Sequence, residues 1–408
     1  MANGSYGVKG NNYTDLLVGN RSLIAKLLMK TGGCTRSELA KMSGLSQAAI
    51  TKITGSLIEL GIIEETGLSK GEKGRRTIDL KLKSDQYQVV GIKIGRRNYS
   101  AGVFDVSGKL LYREKHDVSP KQEPGMVLEA ITALIARLCD TYSGIIAAGV
   151  SVPGPYLRNR GIIAKMTYFP GWKDYNLVEY FEEHTRIPVF VEHDANAGAL
   201  AEWWFGSTTS EVLVHIIASE GIGAGILNNG HLLYGAAGVA GEIGHMSIAF
   251  DGRRCECGPE SRGCLEQYCS ALAFMRDVKE QLHNYPDSCL NSIEEFTVDD
   301  VFTASEQGDL FARKMIRQVG FYFGIGIANL INIYNPDTVI ISDIMSGAGE
   351  PLLESIRQTI QGRVIPELSE ALDVRFSDMK DDASLYGAAA IAVDRFLENP
   401  LDFLEAKD

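Results

Sequence analysis

One short stretch limits the fold and chemistry of this chain more than any other. It opens with Gly241-Glu242-Ile243-Gly244-His245 and continues, after a spacer, with Cys255-Glu256-Cys257-Gly258 and Gly263-Cys264-Leu265-Glu266. One imidazole and three thiolates (His245, Cys255, Cys257, Cys264) make the ligand set of a closed structural Zn²⁺ site, with no position left for a reacting water. Thiolates favour Zn²⁺ over Mg²⁺ or Ca²⁺, which prefer oxygen. A metal here would also pin Glu242 and Glu266, which stand just outside the set. The alternative, a satisfied core histidine among buried thiols, accounts poorly for three cysteines within ten residues.

The wider cysteine usage agrees. Seven cysteines, an odd number with a metal-like cluster, argue against a disulfide framework and for a reducing cytoplasm. Cys34, Cys139, Cys269 and Cys289 read as packing residues, although Cys269 stands close enough to the cluster to offer an unwanted fifth thiol. No apolar run approaches a membrane span, and the first residues lack the apolar core of a signal peptide. A length of 408 residues calls for two or three domains.

The net charge of −12 hides an asymmetry: residues 1–85 carry 13 Lys+Arg against 8 Asp+Glu. A basic head on an acidic body points to nucleic-acid binding confined to the head. After a polar arm (residues 1–14), Leu23, Ile24, Leu27 and Leu28 recur at helical spacing. Thr35 with Glu38 forms a capping box, Gly44 supplies a tight turn and Ser46 caps the next helix. That helix places Ile50, Ile53, Leu57 and Leu60 on one face. Its other face offers Ser46, Gln47, Ala48, Thr51 and Lys52, short polar groups suited to reading base edges in a major groove. Two strands follow, around a glycine-rich basic tip that ends in Arg75-Arg76, placed for phosphate or a minor groove. The pattern is a winged helix-turn-helix over residues 1–85. A small helical protein-interaction domain is the alternative; the basic tip favours DNA.

Residues 86–408 read as a duplication. Three strands (88–95, 99–106, 109–113), an amphipathic helix (Val127 to Leu138) and a buried strand (145–152) come first. A second set follows at 211–218, 223–227 and 231–233, with a hairpin turn at Asn228-Asn229-Gly230, a long apolar helix (315–333) and a strand (338–342). Two β-β-β-α-β copies predict an α/β body of two ribonuclease-H-like lobes, the actin/hexokinase architecture. Asp381-Asp382 reads as a cap on a last helix, 383–396.

Gly-Glu-x-Gly-His followed by Cys-x-Cys-Gly and Gly-Cys-x-Glu resembles the signature of the ROK family of bacterial sugar kinases and sugar-responsive repressors. Essentially all of residues 86–398 shares the likeness. Pro259 to Arg262 makes the loop between ligands longer than the usual pattern. The resemblance implies a nucleotide cleft between the lobes, and there the chain departs from the kinases. Lys93-Ile94-Gly95-Arg96-Arg97 stands in place of Asp-x-Gly-Gly-Thr, and Ser219-Glu220-Gly221-Ile222-Gly223 in place of Gly-Thr-Gly-x-Gly. Ser342-Asp343-Ile344 replaces a glycine pair. Glu220 would set a carboxylate against phosphate. Together these changes predict no productive ATP binding and no kinase activity.

The sugar side keeps more of its pattern, although Tyr168 stands where the family's Asn-x-Pro-Gly-Trp segment has its sugar-contacting Asn. Glu192-His193-Asp194-Ala195-Asn196 resembles the stretch that holds the catalytic base of the kinases, with His193 for Asn. The resemblance implies sugar contacts from Asp194, Glu242, His245 and Glu266, with Zn²⁺ fixing His245. Asp194 also reads as the N-cap of the helix after it. Tyr168 and Trp172 are candidates for stacking on a sugar ring or for plain core packing. The expected protein is a cytoplasmic DNA-binding transcriptional regulator, a repressor of carbohydrate metabolism resembling the xylose-, glucose- and N-acetylglucosamine-responsive members. It would bind a palindromic operator as a homodimer, or a tetramer built from it, and answer to a sugar. The alternatives are control by a phosphotransfer protein, or a sugar kinase with a DNA-binding head.

Overall fold

The structure is a computed structural model that describes residues 13–70, 76–119, 122–164, 171–379 and 382–404. Residues 1–12 of the polar arm, Arg75, Tyr168 and Asp381 lie outside the described residues, while residues 13 and 14 begin a helix rather than ending the arm. No helix among the described residues is long and apolar enough to cross a membrane.

The head runs α1 (Tyr13–Thr31), β1 (Cys34–Thr35), α2 (Arg36–Ser43), α3 (Gln47–Glu59), β2 (Ile63–Lys70) and β3 (Arg76–Leu82). Its three strands pair in the order β1-β3-β2. Local chemistry sets each boundary. Glu38 accepts from the Thr35 amide at 2.8 Å while Thr35 Oγ1 accepts from the Glu38 amide at 3.3 Å, closing the capping box that starts α2. Gly44 ends α2 in the left-handed region, and Ser46 accepts from the Ala49 amide to start α3. Ile24, Leu28, Leu39, Ile50, Leu57 and Leu80 are buried together. Each contributes about 1.5–3 kcal/mol relative to exposure.

The first lobe has β4 (Gln88–Ile94), β5 (Asn98–Asp105), β6 (Leu110–Asp117), α4 (Pro124–Thr141) and β7 (Ile145–Val152). A small hairpin of β8 (Tyr156–Leu157) and β9 (Ile162–Ile163) precedes α5 (Leu177–His184), β10 (Val189–His193) and α6 (Asp194–Trp204). The second lobe has β11 (Val212–Ala218), β12 (Ile222–Asn228), β13 (His231–Leu232), α7 (Glu266–Cys269) and α8 (Ala271–Gln281). It continues through α9 (Val298–Glu306), α10 (Leu310–Tyr334), β14 (Thr338–Ser342), α11 (Glu350–Gln361), α12 (Pro366–Ser369), β15 (Asp373–Phe376) and α13 (Ala383–Glu398).

The two five-stranded sheets have the same order, β6-β5-β4-β7-β10 and β13-β12-β11-β14-β15. Each joins an antiparallel meander to two parallel strands, with β4–β7 and β11–β14 parallel at the centre. The duplication is therefore real, and each copy has a fifth strand, β10 or β15, beyond the four predicted.

The helices after those fifth strands cross over. α6 leaves the first lobe and packs on β11 and β12 of the second; α13 leaves the second and packs on β4 and β7 of the first. The two helices also pack against each other. Their small residues make this possible: the Gly387 α-carbon lies against the Ala197 backbone, and the Ala388 carbonyl against Gly149 of β7. The head joins this pair directly. Lys26 of α1 pairs with Asp394 of α13 at 3.4 Å, and Lys30 Nζ stands 3.6 Å over the Trp203 ring at the end of α6. Any rotation of one lobe on the other moves α6 against α13, and α1 rests on both.

Two readings need correction here. Asp382 stands at the N-cap of α13, but its side chain makes no capping bond. Its buried carboxylate turns instead to Arg113 and to Lys93, the latter at 3.5 Å. Buried ion pairing outweighs a cap because an unpaired carboxylate at that depth would be costly. Asp194 is the first residue of α6 rather than its N-cap, a position His193 takes.

Candidate functional site

The metal-ligand cluster assembles as its spacing suggested. One ligand atom each from His245, Cys255, Cys257 and Cys264 falls within 4.8 Å of all the others. Cys257 and Cys264 sulfurs are 3.6 Å apart, and Cys255 Sγ is 3.9 Å from His245 Nδ1. Tetrahedral Zn–S bonds of about 2.3 Å put neighbouring sulfurs about 3.8 Å apart, so the donor set fits a four-coordinate ion. Close backbone approach builds the loop. Gly263 has φ +73°, and a Cβ there would sit 1.8 Å from the Ala249 carbonyl, so only glycine lets Cys264 reach the cluster. The extra residues Pro259 to Arg262 form a closed turn, with the Cys255 amide donating to the Ser261 carbonyl at 2.9 Å. Glu266 stays in place despite them: its Oε1 is 3.4 Å from both His245 Nδ1 and Cys255 Sγ. Cys269 is no fifth ligand, since it is fully buried with its sulfur toward the Val319 carbonyl. Cys289 is exposed rather than packed.

Beside the cysteine and histidine cluster, the predicted sugar residues share one electrostatic neighbourhood. Gly241 has φ +95° and passes so close to β12 that a Cβ would lie 1.9 Å from the Ala224 carbonyl, which aims Glu242 inward. Burial pushes the Glu242 carboxyl up, His193 and His245 pull it down, and Asp194 and Glu266 push it up again. Asp194 is likewise raised by burial and held back mainly by His193, whose Nε2 is 3.1 Å from its Oδ1. The Gly154 turn lies against both His193 and Glu242. Three carboxylates and two imidazoles gathered in one neighbourhood suit a ligand rich in hydroxyls. Trp172 is a core residue, only 1% exposed.

At the positions where the sequence departs from the kinase pattern, the chain's own charges pair with one another. Arg96 Nη1 is 3.0 Å from Glu220 Oε2, and Arg97 Nη2 is 3.6 Å from Oε1. Lys93 Nζ reaches Asp343 at 4.0 Å as well as Asp382. First-lobe cations thus pair with second-lobe acids at the positions where the kinase pattern fails. Asp343 has φ +69° and ψ −157°, a region proper to glycine, and holds it by accepting from the Ile344 amide at 2.8 Å. Sequence reasoning singled out these residues as departures but not as partners. The pairs span the lobes, and spacing carries no trace of them.

In the head, Ser46, Gln47, Ala48, Thr51 and Lys52 are all exposed on the start of α3, while Ile50, Ile53 and Leu57 are buried beneath. Arg76 is the first residue of β3.

Residues 89–395 match the ROK family, and residues 21–64 match a winged helix-turn-helix DNA-binding domain. A xylose repressor of Caldicellulosiruptor bescii is 30% identical over 397 residues, which cover 95% of this chain and 99% of the relative. The DNA-binding transcriptional dual regulator NagC of Escherichia coli K12 is 31% identical over 377 residues, 91% of each chain. Among solved structures, a ROK family transcriptional regulator described as a homolog of the E. coli MLC protein superposes with TM-score 0.82 at 30% identity, covering 96% of this chain and 98% of its own. A ROK family glucokinase from Streptomyces griseus, solved with glucose and AMPPNP, gives TM-score 0.66 at 29% identity, covering 74% of this chain and 98% of its own. The chain belongs to the ROK family and carries a winged helix-turn-helix DNA-binding head on its two-lobed body.

Proposed function

We propose that this protein is a sugar-controlled, DNA-binding transcriptional repressor of carbohydrate metabolism rather than a kinase. Residues 1–85 bind an operator, with Ser46, Gln47, Ala48, Thr51 and Lys52 in the major groove and Arg75 and Arg76 on the wing. Residues 86–408 bind the sugar through Asp194, Glu242, His245 and Glu266. The observation that carries the reading is that Asp194, Glu242 and Glu266 gather around His193 and His245, while the neighbouring Arg96 and Glu220 neutralise each other.

In this reading Asp194 accepts a hydrogen bond from a sugar hydroxyl instead of taking its proton, because no phosphoryl group is in place to receive the oxygen. Zn²⁺, held by His245, Cys255, Cys257 and Cys264, supplies rigidity: it fixes His245 and the start of α7, which bears Glu266. Sugar drawing the lobes together turns α6 against α13 and so shifts α1 of the head. That motion lowers operator affinity by favouring a second state. The protein works in the cytoplasm as a homodimer, or a tetramer built from it, so that two heads meet two half-sites.

Thermal melting against a panel of sugars, with and without Mg-ATP, tests the reading. One sugar should raise the melting temperature, ATP should add nothing, and Asp194→Asn should abolish the shift. A further rise with ATP would restore the kinase. A second reading, control by a protein docked on the metal-side surface, is favoured by Phe250, which is wholly exposed in that loop. No shift with any sugar, together with loss of a partner on Phe250→Ala, would establish it.

A further inference from the structure

Away from the Asp194 cleft, a cavity of about 470 Å³ opens where head, lobes and α13 meet. Lys26 of α1 lines it from the head, Tyr156, Arg158 and Glu192 from the first lobe, Tyr234 from the second, and Asp394 from α13. None of the four cleft residues Asp194, Glu242, His245 and Glu266 takes part. Its size lies within the range of small-molecule sites, about 300–1,000 Å³.

The wall is built rather than incidental. Glu192 is 3% exposed, and its carboxylate is held from three directions: the His193 amide at 2.9 Å, Asn196 Nδ2 at 3.0 Å and Arg158 Nε at 3.3 Å. The Arg158 guanidinium in turn lies 4.1 Å over the Tyr234 ring. Tyr156 is 2% exposed and lines the cavity, yet neither its hydroxyl nor that of Tyr234 makes a hydrogen bond among the described residues. Burial raises both phenols above their usual range, so both remain protonated donors. Tyr156 is buried and Tyr234 half-buried, and both hydroxyls are available to a partner in the cavity.

The lining also limits the partner's charge. Lys26 is paired with Asp394, Arg158 with Glu192, and Arg395 with Glu398. An anion would meet Glu192 and Asp394, and a cation would have to displace a paired base or settle on Glu182, which with His231 lines the cavity from an exposed position. What remains is a set of planar, fixed polar groups and two phenols beside aromatic rings, which recognises neutral hydroxyls. We propose that this cavity is a second ligand site, for an uncharged mono- or disaccharide, and that its occupant bridges both lobes to the head. Glu192 connects it to the cleft, since it holds the backbone of His193 next to Asp194 and the side chain of Asn196 on α6.

Calorimetric titration of the full chain tests this with xylose, glucose, N-acetylglucosamine, maltose and cellobiose at millimolar concentration. Glucose 6-phosphate and glutamate serve as charged controls. At least one neutral saccharide should still bind Asp194→Asn, and adding Tyr234→Phe to that background should weaken it about tenfold, the effect of one buried hydrogen bond. Tyr156→Phe should act alike, and both phenylalanine variants keep the ring and the fold. The site is overturned if Asp194→Asn binds no saccharide, or if neither phenylalanine change alters what it binds. It is overturned as a saccharide site if a charged control binds and Tyr234→Phe weakens that control instead. Should Asp194→Asn fail to fold, two saccharides per wild-type chain, one of them lost in Tyr234→Phe, support the proposal, and one or none refutes it. Loss of the cleft reading alone would leave this binding intact.

Discussion

Arg96 of the first lobe and Glu220 of the second lie 3.0 Å apart, so the two residues that most disturb the phosphate-binding pattern satisfy each other. Both side chains are about one-fifth exposed, 21% and 20%, which places the pair between surface and core. Such a pair contributes about 1 kcal/mol or less, reduced by salt. A double-mutant cycle of Arg96→Ala and Glu220→Ala in urea unfolding should therefore give a coupling of about 0.5–1 kcal/mol that shrinks at high salt. Sugar-dependent ATP hydrolysis should be absent in the parent protein. A coupling of zero would mean that the pair does not hold the lobes.

Asp343 offers a cleaner separation of backbone from charge. Its φ of +69° with ψ of −157° belongs to glycine, and such strain costs on the order of 1–3 kcal/mol. Asp343→Ala and Asp343→Gly both delete the carboxylate that pairs with Lys93 and accepts from Ile344. Only glycine also relieves the backbone. The glycine variant should be more stable than the alanine variant by at least about 1 kcal/mol in chemical unfolding. Equal stabilities would mean that the backbone relaxes once the carboxylate is gone.

Much of this was legible in the sequence where the governing contacts are local. Thr35 with Glu38, Gly44, Ser46 and the Asn229-Gly230 turn each act within a few residues, and the structure places all of them as read. The metal cluster is legible for the same reason, since four ligands within twenty residues need only one loop. The fifth strands, β10 and β15, join their sheets only by parallel pairing with β7 and β14, a relationship that spacing does not carry. Asp382 was misread because Lys93 and Arg113 reach it from the far end of the chain. Lobe-to-lobe pairing and the exchange of α6 and α13 depend on tertiary packing alone, and composition could not announce them.

The metal cluster yields a prediction with an internal control. Cys257 is one of four side chains gathered within 4.8 Å that could hold a metal ion, so Cys257→Ser leaves that set short of one thiolate. Bound zinc measured by elemental analysis should fall from one per chain toward none, and the melting temperature should drop by several degrees. A chelator should lower the parent protein toward the variant and leave the variant unmoved. If both melt alike with and without chelator, the four side chains hold no structural ion.

On the head, position and specificity should separate. Gln47 is exposed at the first turn of α3, where a side chain reaches base edges; Arg75 lies outside the described residues and is assigned to phosphate contact from the sequence alone. Arg75→Ala should weaken binding to operator and random DNA alike and reduce the slope of log affinity against log salt by about 0.9. Gln47→Ala should keep that slope and lose about 1–3 kcal/mol of discrimination at one operator position. Fluorescence anisotropy across a salt series distinguishes them, and identical behaviour of the two variants would contradict the assigned roles.

The last prediction concerns pH and rests on His215. This residue is fully buried on β11 beneath the start of α6, with Nδ1 3.3 Å from the Ala195 carbonyl. Its Nε2 has no hydrogen-bond partner among the described residues, which fits a neutral ring that donates from Nδ1. Burial lowers its pKa to about 4 from an unfolded value near 6.5. Because the unfolded chain binds that proton more tightly, the contribution is fully present above pH 6.5 and is lost as pH falls toward 4. The shift corresponds to stability on the order of 3 kcal/mol. Asp194 and Glu242, raised by burial, act in the opposite sense, so the raw pH slope mixes several groups. The difference between parent and His215→Gln isolates one of them, since glutamine can still donate toward Ala195 without binding a proton. Urea midpoints at neutral pH and at about pH 5 should converge as the pH falls, the parent losing more than the variant. Parallel curves would mean that His215 takes up no excess proton on unfolding.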